Sequence, residues 1–78
     1  MWKDEGNGIY HLRFGSLRAR LENSHRQFEG HWVLTCPGLM TATSMGLLNE
    51  NVANVQTKAV THLMGLLVAA SEDLGRAV

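Results

Sequence analysis

The sequence predicts an α+β domain: an antiparallel sheet of three strands, with a weaker signal for a short fourth, packed on one long C-terminal helix. Three observations predict it. Two alternating runs, Ile9 to Phe14 and Leu17 to Glu22, flank a two-residue Gly15-Ser16 turn, the signature of a hairpin. A third alternating run, from about Phe28 or His31 to Cys36, ends at Pro37, which cannot donate to a ladder. From about residue 51 to 74 the apolar spacing changes to steps of three and four, the period of a helix. Residues 1–78 read as one small α+β domain, a two-layer arrangement of sheet and helix.

Residues 1–8 are polar and glycine-bearing apart from Trp2, and read as an irregular lead-in with a Gly6-Asn7-Gly8 turn signal. The hairpin follows. Its turn places Phe14 opposite Leu17, Leu12 opposite Ala19 and Tyr10 opposite Leu21 on one face. Arg13 then stands opposite Arg18, and His11 opposite Arg20, on the other. Asn23 to Gly30 is a polar connection carrying Ser24, His25 and Arg26. In the next strand Phe28, Trp32, Leu34 and Cys36 share the core parity, while Glu29, His31, Val33 and Thr35 share the other. Pro37-Gly38 opens a loop through Gly46, within which Met40 to Ser44 is the weak fourth strand.

The helix has Asn49 or Asn51 as its N-cap, with Glu50 near the positive end of the dipole. Val52, Val55, Ala59, Leu63, Leu66, Leu67, Ala70 and Leu74 form its apolar side, and Gly75 suits the C′ position. The expected core joins Tyr10, Leu12, Leu21, Trp32 and Leu34 to Leu63, Leu66 and Leu67. Such a helix is about 35 Å long, whereas six-residue strands span roughly 20 Å, so the helix should overhang the sheet. Its surplus apolar surface suits either a second copy of the chain, giving a homodimer, or a cover made by Met40 and Met45.

Composition narrows the function. The seven Lys and Arg balance seven Asp and Glu, so no basic excess marks a nucleic-acid binder and a protein partner is favoured. One cysteine, Cys36, permits no internal disulfide and fits a reducing compartment. The opening Met-Trp-Lys-Asp-Glu-Gly does not read as a signal peptide, and the longest apolar stretch, Leu63 to Ala70, is too short to span a bilayer. The expectation is a cytoplasmic protein with no membrane contact.

No catalytic constellation emerges, so the expectation is a non-enzyme without cofactor. His11, His25, His31, His62 and Cys36 lack the ligand spacing of a zinc site. Cys36 lies on the core parity, away from His31, and does not suit a nucleophile. The candidate site is instead the open hairpin face: Arg13, Arg18 and Arg20 with His11, and Arg26 on the neighbouring connection. Like charges directly opposed across a ladder destabilise it. They therefore call for a use or for nearby acids; Glu22 and Glu29 are the candidates for the latter.

Gly30-His31-Trp32-Val33-Leu34-Thr35-Cys36-Pro37-Gly38-Leu39, then Gly46 and the Glu50-Asn51-Val52-Ala53 helix start, resembles a HicB-type antitoxin domain. The resemblance covers about half the chain and implies a partial RNase-H-like sheet that blocks a toxin. Several features depart from the family pattern. Gly38 replaces the aspartate after the proline, Leu47-Leu48 stands where an Asp-Thr cap is usual, and the C-terminal DNA-binding helix-turn-helix has no counterpart in these residues. In size and build the chain is also similar to small phage-encoded inhibitors such as anti-CRISPR proteins. The sequence thus points to a non-enzymatic inhibitor of phage or mobile-element origin that blocks a macromolecular partner, host nuclease or toxin-like machinery, through a charged sheet face. The alternative is a nucleic-acid-binding protein using the same arginines.

Overall fold

Five antiparallel strands lie in chain order and are followed by one helix in the computed structural model, which describes residues 1–77. The strands are β1 (Lys3–Gly6), β2 (Ile9–Phe14), β3 (Leu17–Glu22), β4 (His31–Cys36) and β5 (Met40–Leu47), and the helix is α1 (Val52–Arg76). Every neighbouring pair is antiparallel, so the sheet is a simple meander.

The β2–β3 register agrees with the expected one at every pair, including Arg13 opposite Arg18 and His11 opposite Arg20. Gly15 at the turn has φ 59°, a conformation that glycine adopts without a Cβ penalty.

One strand, β1, exceeds the expected three or four. The lead-in contains β1, which pairs Lys3 with His11 and Asp4 with Tyr10. All its residues are exposed, so it carries no apolar alternation to betray it. What makes the strand is the turn: Gly6, Asn7 and Gly8 all have positive φ, and the Asp4 carboxylate accepts from the Gly6 N–H at 2.8 Å. Gly8 is required twice over, by its positive φ and because a Cβ there would collide with the Asn23 side chain, while the Asn23 backbone N–H donates to the Gly8 carbonyl. The weak fourth strand is β5. It runs three residues beyond Ser44 and is bulged against β4 near Met45.

The core lies between one sheet face and the first half of α1. Ala19, Leu21, Trp32, Leu34 and Cys36 meet Val55, Ala59 and Leu63, with Trp2, Tyr10, Leu12 and Phe14 packed around them. Three expected members are absent. Leu66 and Leu67 fall outside the cluster: Leu66 is only half-buried, and Leu67 is exposed beside Leu12 and Phe14 of β2. Phe28 belongs to the turn region before β4 and stacks on His25, with ring centroids 5.7 Å apart. Val33 is fully buried although its parity faces away from the helix; Glu22 and Ser44 flank it on the neighbouring strands.

Asn51 caps α1, its side chain accepting from the Ala53 N–H at 2.8 Å. Gly75 does not end the helix; the last turn runs through Arg76 to Ala77 in ordinary right-handed geometry. The second half of α1 leaves Met64, Val68 and Leu74 exposed, the last at 71 %. The expected overhang is thus present, and Met40 and Met45 pack on the core instead of covering it. Among the described residues no helix is long and apolar enough to cross a membrane.

Candidate partner-binding face

The sheet face opposite α1 gathers the charged side chains. Strand alternation puts His11 and Arg13 of β2, and Arg18 and Arg20 of β3, on this side. The same alternation carries Lys3 and Glu5 of β1 alongside them, since Lys3 is in register with His11. Lys3, Glu5, His11, Arg13 and Arg18 line one open concavity of about 330 Å³, with Met1 at its rim.

Glu5 sits at the centre of this group. His11 Nδ1 lies 3.1 Å from Glu5 Oε1 and 3.2 Å from Arg18 Nη2. One nitrogen cannot satisfy both: carrying a proton it donates to Glu5, and bare it accepts from Arg18. Arg18 Nη2 is also 3.8 Å from Glu5 Oε1. The hydrogen bond to His11 is the largest effect and holds the Glu5 carboxyl below its ordinary value; burial opposes it, and the charges of Lys3, His11 and Arg18 each add a smaller lowering.

The expected site residues are only partly brought together. His11, Arg13 and Arg18 share the concavity. Arg20 turns instead to Glu22 on its own strand, with 3.2 Å between Nη2 and Oε2. Arg26 is exposed in the turn region between β3 and β4 and is not part of the group. Among the described residues no carboxylate lies within ion-pair distance of Arg13, and the same holds for Lys3 and Arg26. Sequence reasoning missed Lys3 and Glu5. The available signal was the Gly6-Asn7-Gly8 turn, which folds any strand before it onto β2.

The remaining histidines are apart from one another. His31 Nδ1 is 2.8 Å from Ser44 Oγ, and His25 Nδ1 accepts from the Gln27 N–H at 3.2 Å. His62 lines a shallow hollow with Ser44 and Lys58, and Lys58 is paired with Glu50. Among the described residues no group of three or more His, Cys, Asp or Glu is placed to hold a metal ion. Burial pushes the Cys36 thiol above its ordinary pKa, which favours the unreactive protonated form.

Comparison with protein-family models, curated proteins and solved structures found no match.

Proposed function

We propose that this protein is a non-enzymatic binding module that blocks a protein partner by seating an acidic patch of that partner on the open sheet face. Phage- or mobile-element-encoded inhibitors and antitoxins are the class it fits, acting on nuclease or toxin-like machinery in the cytoplasm. The observation that carries the reading is the Arg13–Arg18 pair. Two arginines are directly opposed in register on neighbouring strands, and of the two only Arg18 has a described carboxylate near it. Arginine's planar fork binds carboxylates in paired hydrogen bonds, so an acidic partner relieves the repulsion that the isolated fold retains.

Protein is favoured over nucleic acid for two reasons. The chain carries no net charge, and Glu5 and Glu22 lie among the cations. The aromatic residues Tyr10, Phe14 and Trp32 pack on the core side, so the basic face offers no stacking platform for bases.

The test begins with a partner captured from the native host and purified. Arg13→Glu with Arg18→Glu should abolish its binding while the thermal melt stays cooperative. Undiminished affinity in a folded double variant removes the face from consideration. Salt dependence separates the partner classes. Phosphate contacts give a steep linear fall of log affinity with log salt, and a protein interface gives a shallower one.

A further inference from the structure

We infer that Glu5 is a resident stand-in for the partner's carboxylate, and that the concavity around it receives a pair of neighbouring acidic side chains. This inference rests on the binding-face reading and deepens it. The concavity already holds a carboxylate, so its fit to that group is on display: His11 and Arg18 both converge on Glu5 Oε1, at 3.1 and 3.8 Å. Leaving His11 aside, Lys3, Arg13 and Arg18 set three positive charges against the single charge of Glu5. The site therefore carries two unbalanced positive charges with Glu5 in place and three once Glu5 is displaced. One incoming carboxylate can take the place of Glu5 at Arg18, and a second can reach Arg13, which has no described acidic neighbour within ion-pair distance. Two carboxylates on adjacent residues of an acidic segment meet both demands.

The position of Glu5 makes displacement easy. It is on β1, the four-residue edge strand, whose residues are all exposed and whose pairing is irregular between Asp4 and Gly6. The His11 conflict helps as well. When Glu5 leaves, the imidazole nitrogen is free to accept from Arg18 alone, which fixes the guanidinium for the incoming group.

The experiment uses the whole chain and a fluorescent ten-residue peptide of adjacent aspartate pairs separated by glycines, with inorganic phosphate as a second probe. Four proteins are compared by anisotropy: the native chain, Glu5→Gln, Arg13→Gln with Arg18→Gln, and Asp73→Asn. The last changes net charge as Glu5→Gln does, but on the far end of α1, where Asp73 pairs with Arg76. The peptide should bind the native chain. The arginine variant should lose at least tenfold in affinity. Glu5→Gln should gain roughly two- to fivefold, the scale of an exposed ion pair, with Asp73→Asn unchanged.

Equal gains in Glu5→Gln and Asp73→Asn, or a loss in Glu5→Gln, overturn the inference while leaving the arginine face intact. Failure of the native chain to bind the peptide, or phosphate competing with it at equal concentration, also overturns it. Peptide binding that survives the arginine substitutions overturns both this inference and the binding-face reading.

Discussion

Glu5 makes the basic face sensitive to acid in a definite direction. Its folded pKa lies below the ordinary glutamate value, through the His11 hydrogen bond first and the nearby cations second. A lowered carboxylate pKa gives stability that is fully present above the unfolded value of about 4.5 and lost as pH falls through the folded one. The stability difference between the native chain and Glu5→Gln should therefore shrink as pH drops below that range. Urea melts from pH 3 to 7 measure it, and a difference that grows toward low pH contradicts the assignment. Core residues make a second comparison. Leu63 is buried between α1 and the sheet, so Leu63→Ala should cost roughly 2–5 kcal/mol. Glu72→Ala, at an exposed position on the same helix, should change stability by no more than about 0.5 kcal/mol. Cys36 should resist maleimide in the native state and react promptly in denaturant, because it is fully buried and its thiol is held protonated.

At the scale of elements, legibility followed burial. The hairpin β2–β3 and the strand β4 were readable because one face of each packs on the core, which forces alternation into the sequence. The strand β1 has no buried residue, so nothing in its side chains records it; backbone pairing and the Gly6-Asn7-Gly8 turn alone create it. The strand β5 was only half readable. Its Thr, Ala and Ser residues give a weak apolar signal, and the bulge near Met45 breaks the period that would have extended it to Leu47. The same logic explains the candidate site. Arg13, Arg18 and His11 were visible from hairpin register, whereas Lys3 and Glu5 stayed hidden with the strand that carries them. Helix spacing likewise put Leu66 and Leu67 in the core, because periodicity reports a helix face and not how deeply each residue on it is buried. Asn51→Ala removes the α1 cap and should cost about 1 kcal/mol, read from a denaturant melt. Amide exchange along α1 should show protection to about Leu63 and then decline toward Arg76, since packing ends there.

The whole molecule is elongated, 44 Å in its longest dimension against about 20 Å across, because α1 continues past the sheet. Beside the overhang, Leu12, Phe14, Val60, Leu63, Met64 and Leu67 line an apolar groove. An exposed apolar helix end next to an apolar groove is the arrangement expected of a self-associating chain, and we propose that two copies pair through it. Sedimentation equilibrium at micromolar concentration should give a mass above the 8.6 kDa monomer. Leu67→Lys with Leu74→Lys should return the monomer. A monomer at every concentration rejects the pairing.

On the opposite side of the molecule, the proposed binding role of the open-face cations implies that they are kept at a cost to the fold. Arg13 tests this without any partner, because it faces Arg18 and has no described carboxylate within ion-pair distance. Thermal and urea unfolding of Arg13→Thr is the most direct measurement. Threonine suits a strand and ends the like-charge opposition, so the variant should be more stable than the native chain by about 0.2–1 kcal/mol. A loss of more than about 1 kcal/mol would show that Arg13 supports the structure, and would contradict the account.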